Sequence, residues 1–189
     1  MLNSINKNKI TEIIRVNHAG EMGAKVIYDG QILANKIKGD KATLAIIEKM
    51  KSQEIEHFDY FDQQIQKQKV RPTIFQPLWG IGGFAMGFLT AVIDKKSAMT
   101  CTTAVEEVID EHYQQQIQEI NYLIENNQDK NSQQELIELQ NILKKFRDEE
   151  IHHRDIAYEN NAKDFIAHKP LASFIKFTTK LAIAISKKM

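Results

Sequence analysis

Three Glu-x-x-His motifs are the first feature of this chain that could carry chemistry. They are Glu54-Ile-Glu-His57, Glu149-Glu-Ile-His152 and Glu150-Ile-His-His153. Random placement of the glutamates and the 6 histidines among 189 positions predicts only about half an occurrence. On a helix, residues three apart share a face, so the carboxylate and the imidazole of one motif can bind the same metal ion.

Apolar residues around the first motif indicate that it points into a protein core. Glu54 and His57 continue a stripe of Ile47, Met50 and Phe61 at helical steps of three and four. A carboxylate in such a position is costly to bury unless it is paired or bound to a metal ion.

The second motif occurs in two registers. Glu150 and His153 lie on an apolar stripe, whereas Glu149 and His152 lie beside it. The residues of that stripe are Leu139, Leu143, Phe146 and Ala157. We therefore expect Glu150 and His153 to point inward, and the other pair is the alternative register.

Two further helices each offer one inward acid. Glu21 follows the apolar stripe of the first predicted helix, and Glu106 follows that of the third. Two helices with Glu-x-x-His and two with a lone glutamate carry the ligand set of di-iron carboxylate bundles. The four glutamates balance the charge of two divalent cations, and the ligand types suit iron or manganese. The expected metal ligands are Glu21, Glu54, His57, Glu106, Glu150 and His153.

Four further residues have side chains that could contribute to such a site. Tyr113 follows Glu106 on the same stripe and is either close to the metals or an ordinary core residue. His112 reaches at most the surroundings of the ligands, and His18 is expected to be a satisfied histidine of the first helix. Cys101, the single cysteine, excludes a multi-cysteine metal site and is expected to be a small buried hydrophobic residue.

Composition and the positions of glycine and proline predict an all-α fold. The chain is 42% hydrophobic with a formal net charge of +0, which suits one globular domain and argues against a strongly basic nucleic-acid binder. All 8 glycines lie at or before Gly87, and neither glycine nor proline occurs from Phe88 to Lys169. The first residues lack the apolar run of a secretory signal, so the cytoplasm is the expected compartment.

The predicted helices form a ferritin-like four-helix bundle, a single domain over residues 1–189. They span about residues 9–38, 41–68, 97–126 and 132–160. Asp40 is expected to cap the second helix, and a capping box that starts at Ser132 is expected to open the fourth. The first helix is expected to be interrupted or softened at Gly20, Gly23 and Gly30. The small residues Ala19, Gly20 and Gly23 are expected to let another element approach closely beside Glu21.

Two segments outside these four helices are rich in apolar residues. The crossover, about residues 72–94, has no charge before Asp94 and predicts a short helix over about 78–93, either buried in the core or facing a membrane. The C-terminal segment, about residues 170–189, predicts a basic amphipathic helix. Attraction to anionic lipid is favoured for this helix, and the alternative is a capping helix with a solvated lysine face.

Four segments resemble the demethoxyubiquinone monooxygenase (hydroxylase) family of ubiquinone biosynthesis, whose members are ferritin-like di-iron carboxylate proteins. The segments are IIRVNHAGEMGA (13–24), RPTIFQPLW (71–79), AMTCTTAVEEVIDEHY (98–113) and KFRDEEIHHRD (145–155). Met22 replaces a tyrosine that is frequent in the family, and His152-His153-Arg154 replaces a frequent Glu-His-His. Neither change removes a ligand. The resemblance implies the same six metal ligands and places the catalytic pair His112 and Tyr113 near the site.

The resemblance also implies the reaction and its setting. The expected activity is an O₂-dependent hydroxylation of the ring of a demethoxyubiquinone-type polyprenyl quinone or quinol, at two iron ions or two manganese ions. Glu54 and Glu150 would bridge the ions, with Glu21 and Glu106 as terminal ligands. The expected place is peripheral, on the cytoplasmic face of the cell inner membrane. The lipid surface is the expected partner, with a second copy of the chain or a lipid-presenting accessory protein as further candidates.

Two other functions fit part of the pattern. A ferritin- or rubrerythrin-type di-iron protein that handles iron or peroxide would explain the ligands but not the apolar crossover. A metal-free, membrane-binding helical scaffold would explain the crossover but not the ligands.

Overall fold

The computed structural model describes residues 4–188, and within them it contains helices and no strand, so the all-α prediction is confirmed. Residues 1–3 and 189, which the predicted 1–189 domain includes, lie outside the described part. The helices are α1 (Ser4–Lys38), α2 (Lys41–Gln68), α3 (Gln76–Ile93), α4 (Lys95–Glu125), α5 (Lys130–Glu159) and α6 (His168–Lys188), with a short 3₁₀ turn at Ala162–Asp164. Helices α1, α2, α4 and α5 form the bundle, while α3 packs on α1 and α6 packs on α4.

Helix α1 is continuous, so the expected interruption by glycine is wrong. Gly20 and Gly23 face open space, and the close approach occurs instead at Gly30 and Gly87. A Cβ atom on Gly30 would lie 2.2 Å from the Phe84 carbonyl oxygen of α3, and one on Gly87 would lie 2.0 Å from the carbonyl oxygen of Ile27. Glycine therefore serves the crossing of α1 and α3 rather than a bend in α1.

The two predicted helix starts have different outcomes. Asp40 caps α2 as expected, because its carboxylate accepts a hydrogen bond from the Thr43 backbone N–H at 3.0 Å. The capping box at Ser132 is wrong, since α5 begins two residues earlier. Asp129 is the cap there and accepts hydrogen bonds from the Asn131 backbone and the Ser132 hydroxyl. A carboxylate is a strong acceptor at a helix N-terminus, where the helix dipole also favours negative charge.

Helix α3 lies on the outside of the bundle, so the first of the two alternatives, a helix buried in the core, is wrong. Its buried residues are the small ones at the crossing with α1, namely Gly83, Gly87, Thr90 and Ala91. Its large residues face outward, and they include Leu78, Ile81, Leu89, Val92 and Ile93. In the described part of the chain, α3 is the one helix that is long and apolar enough to cross a membrane, by length and composition alone.

Helix α6 covers one side of the bundle and is held there by charge as well as by apolar contact. Ala172 and Ile175 are buried, and Lys180 forms an ion pair with Glu111 of α4 at 2.8 Å. A second pair joins Lys176 to Glu107, one turn earlier on both helices. These two lysines pair with acids of α4 and stay partly exposed, with Lys180 at 56% side-chain exposure. The outward face of α6 instead exposes Phe174, Phe177 and Leu181.

Candidate metal centre

The six side chains expected to bind metal meet in the middle of the bundle. Each is at most 2% exposed. Helix α1 contributes Glu21, α2 contributes Glu54 and His57, α4 contributes Glu106, and α5 contributes Glu150 and His153. The structure brings Glu150 and His153 into this cluster and leaves His152 exposed.

The six residues form two overlapping groups. In each group, one oxygen or nitrogen atom from every residue lies within 4.8 Å of those from the others. One group is Glu21, Glu54, His57 and Glu150, and the other is Glu54, Glu106, Glu150 and His153. Glu54 and Glu150 belong to both groups. The arrangement could therefore hold two metal ions, with the two shared carboxylates between them.

Several oxygens of this cluster have no hydrogen-bond partner although they are buried. They are one oxygen each of Glu21 and Glu106 and both oxygens of Glu54. Glu54 Oε1 does lie 3.0 Å from His153 Nδ1, but without the geometry of a hydrogen bond. An unpaired buried carboxylate oxygen costs free energy, and a cation removes that cost. The donor set of the chain therefore fits metal ions.

The charges of the cluster are compensated internally in the metal-free chain. Burial raises the pKa of the Glu54 and Glu106 carboxyls well above 4.5, and it raises that of Glu21. Burial also acts against a charged Glu150, but hydrogen bonds from His153 and His57 lower its pKa to about 2. Burial lowers the pKa of His57, but the hydrogen bond to Glu150 and the Glu21 carboxylate, whose Oε2 lies 3.5 Å from His57 Nδ1, outweigh it and raise the value to about 12. Protons therefore balance the carboxylates until metal ions displace them.

Two buried tyrosines hold the two unshared glutamates. The Tyr28 hydroxyl donates a hydrogen bond to Glu106 Oε1 at 2.8 Å, and the Tyr113 hydroxyl donates one to Glu21 Oε1. Each tyrosine follows the glutamate of its own helix by seven residues and reaches the glutamate of the other helix. The position of Tyr113 near the site is a prediction from the sequence, whereas the role of Tyr28 is not, although the repeated Glu-x₆-Tyr spacing is a signal for it.

Each histidine of the cluster makes one inward and one outward contact. His57 and His153 direct Nδ1 at the carboxylates of the cluster and Nε2 away from it. His57 Nε2 lies 2.6 Å from Glu149 Oε2, and His153 Nε2 lies 3.0 Å from Gln53 Oε1. Glu149, the acid of the alternative register, thus reaches the cluster through His57. A hydrogen bond to the outer nitrogen fixes the ring orientation of a metal-binding histidine.

The remaining candidates lie outside the cluster. His112 contacts Gln116, which pairs with Asn17, and it lines a cavity of about 210 Å³ between α4 and α6. Burial, followed by repulsion from lysines, lowers the pKa of His112 to about 4. His18 Nε2 lies 3.3 Å from Asp62, but its Nδ1 has no partner, so this histidine is only half satisfied. Cys101 is fully buried in the apolar core, as expected.

The fold and the cluster together define a ferritin-like bundle whose core could hold metal ions. The family described as Ubiquinone biosynthesis protein COQ7 matches residues 8–186, and the chain belongs to this family. The resemblance found in the four sequence segments is thereby confirmed.

Relatives named for one activity match the chain along its length. The "NADPH-dependent 3-demethoxyubiquinone 3-hydroxylase, mitochondrial" of Dictyostelium discoideum is 39% identical over 196 residues, which cover 100% of this chain and 84% of that protein. The protein of the same name from Homo sapiens is 39% identical over 188 residues, covering 100% of this chain and 82% of the human protein. The "3-demethoxyubiquinol 3-hydroxylase" of Rhodospirillum rubrum is 38% identical over 180 residues, which cover 95% of this chain and 78% of that protein.

Proposed function

We propose that this chain is a demethoxyubiquinone hydroxylase, an O₂-dependent monooxygenase of a late step in ubiquinone biosynthesis. Its relatives carry that activity in their names, and they match it over nearly the whole chain. The observation that carries the proposal for this chain is the buried Glu/His cluster with its unpaired carboxylate oxygens. Ferritin- or rubrerythrin-type handling of iron or peroxide is not favoured, because none of these relatives is named for it.

The metal ions of the proposed centre are two irons, and manganese fits the same ligands. Glu21 and His57 would hold one ion, Glu106 and His153 the other, and Glu54 and Glu150 would bridge the two. When bound, such a pair supplies the electrons and the binding site for the reduction of O₂. Analysis of protein expressed with ample iron should find about two ions per chain, and near-zero iron would favour the metal-free scaffold.

Side chains around the proposed centre orient its ligands and exclude water from it. Tyr113 and Tyr28 fix the unshared glutamates through hydrogen bonds, so these carboxylates need no reorganisation when the ions bind. The apolar side chains packed around the cluster exclude water, and Phe146 lies against the His57 ring with centroids 4.1 Å apart. His112, held by Gln116 next to Tyr113 in the chain, is the outer member of the proposed catalytic pair.

The proposed place of action is peripheral, on the cytoplasmic face of the cell inner membrane, because the polyprenyl substrate is a lipid. The exposed apolar side chains of α3 and of the outer face of α6 support contact with lipid, since exposed apolar patches mark interaction sites. Away from the bilayer, a second copy of the chain or a lipid-presenting accessory protein would have to cover α3.

Quinone profiling of a cell that lacks the protein tests substrate and site together. Accumulation of the demethoxyquinone is expected, with rescue by the wild-type chain but not by Glu150→Ala. Glu56→Ala, which removes an exposed carboxylate from α2, is the matched control and should rescue fully. Unchanged quinone levels, or full rescue by Glu150→Ala, would contradict the proposal.

A further inference from the structure

The metal centre has two similar halves, one with Glu21 and His57 and the other with Glu106 and His153. The residues that contact the outer Nε2 atoms of the two histidines differ in charge. The residue before each shared glutamate contacts the histidine of the other helix, α5 in one case and α2 in the other. Gln53 precedes Glu54 and contacts His153, whereas Glu149 precedes Glu150 and contacts His57. One histidine therefore has an amide as its outer partner, and the other has a carboxylate.

The other parts of the two halves match closely, which isolates this difference. Each half has an unshared glutamate that is at most 2% exposed, and a buried tyrosine donates a hydrogen bond to each of them. Both histidines are fully buried and use Nδ1 toward the shared carboxylates. The two halves therefore differ in charge at Gln53 and Glu149, the amide and carboxylate partners of the two histidines.

A carboxylate and an amide act differently on a metal-binding imidazole. An anionic acceptor increases the basicity of the ring and adds negative charge close to the cation, whereas an amide oxygen fixes the ring without a charge. The contact is also shorter on the carboxylate side, at 2.6 Å against 3.0 Å. Lys145 lies 3.7 Å from the other oxygen of Glu149, but it is more than half exposed, so water screens much of its charge.

We propose that Glu149 and Gln53 make the two metal positions unequal, so that the ion beside His57 binds first and more tightly. This inference depends on the proposed metal centre and adds an order of filling to it. Mutation of an outer partner of this kind changes metal affinity by about 10–100-fold. The two positions of the wild-type chain should therefore differ in affinity by about 10-fold or more.

Titration of the metal-free full chain with Co²⁺ measures the two affinities without any turnover. Visible absorption and calorimetry should show two binding steps in the wild-type chain. Glu149→Gln should weaken the tight step by about 10-fold and leave the weak step unchanged. Gln53→Glu should strengthen the weak step. Two further variants assign the steps to the two positions. Glu21→Gln should remove the tight step, and Glu106→Gln should remove the weak step.

The outcomes separate this inference from the metal centre itself. Two Co²⁺ ions with one common affinity, or equal weakening of both steps by Glu149→Gln, would overturn the inference and leave the centre intact. Failure of the wild-type chain to bind Co²⁺ would overturn both. Glu56→Gln should leave both steps unchanged, and an effect equal to that of Glu149→Gln would mean that net charge alone is responsible. Circular dichroism of each metal-free variant checks the fold.

Discussion

The buried cluster and helix α3 depart from an ordinary soluble fold in opposite directions. The cluster places four carboxylates at positions that are at most 2% exposed, whereas α3 leaves Ile81 73% exposed and Ile93 64% exposed. Buried charge and exposed apolar surface both cost free energy. Under the proposed function, cations would remove the cost of the cluster, and an apolar environment would remove that of α3.

The largest expected effect comes from removing one shared carboxylate of the cluster. Glu54→Leu should abolish the binding of both ions and lower hydroxylation by roughly 1,000-fold or more, since loss of a mere outer partner already costs 10–100-fold. The metal-free variant should be as stable as the wild-type chain or more stable, because both oxygens of Glu54 are buried without a hydrogen-bond partner and an apolar side chain removes that cost. Metal analysis, activity and thermal unfolding measure the three quantities.

Glu56→Leu is the control for that variant, since Glu56 lies on the same helix but is exposed. It should keep both ions and full activity. If Glu54→Leu destabilised the metal-free chain strongly, the view that this carboxylate is costly without metal would be wrong.

The attachment of α3 can be broken at its crossing with α1. Gly87→Ala should destabilise the protein by about 1–3 kcal/mol, because its Cβ would overlap the Ile27 backbone. Gly82→Ala on the open side of α3 should instead stabilise it by about 0.5–1 kcal/mol through higher helix propensity. Denaturant unfolding measures both, and equal effects would contradict the close packing of α1 and α3.

The outer face of α3 can be tested separately from its packing. Ile81→Asp should reduce binding to lipid vesicles by about 10–100-fold, since burial of such a side chain contributes about 1.5–3 kcal/mol. Its stability in solution should stay the same, because Ile81 is exposed. Vesicle flotation measures the binding. Ile55→Asp, on the exposed side of α2, should have no effect, and an equal loss there would argue against α3 as the membrane-facing surface.

The smallest expected effect is a pH dependence of stability that comes from the cluster and not from α3. Because the pKa values of Glu54 and Glu106 are raised in the folded state, the metal-free chain binds more protons than the unfolded chain above their ordinary pKa of 4.5. Its stability should therefore fall as the pH rises from about 7 to about 8, and the raised pKa of His57, about 12, acts in the same direction. Below that range the lowered pKa of His112, about 4, acts in the opposite direction. Bound metal displaces those protons, so the stabilisation by metal should grow over the same range.

Helix α3 carries no Asp, Glu, Lys, Arg or His and should not contribute to this dependence. Thermal unfolding with and without Co²⁺ measures it. A metal-free chain that became more stable toward pH 8 would contradict the raised pKa values.

The sequence predicted much of the inner site because helical periodicity is a local property. Steps of three and four residues put Glu54, His57, Glu150 and His153 on apolar stripes, and any helix with that pattern must turn them inward. The same reasoning failed for Gly30, since the partner that requires a glycine there comes from α3, more than fifty residues later. It also failed for Ser132, because a stronger cap preceded it.

By itself, the sequence determined the helices, the inward faces and the set of acids and imidazoles that could share metal ions. Only the tertiary structure decided which glutamate lies with which histidine, that Tyr28 and Tyr113 hold carboxylates of opposite helices, and that α3 lies outside the core. The physical reason is the sequence separation over which each kind of interaction acts. Helix formation and amphipathicity depend on residues within a few turns, whereas these contacts join side chains from separate helices. Their distances exist only after the helices have packed.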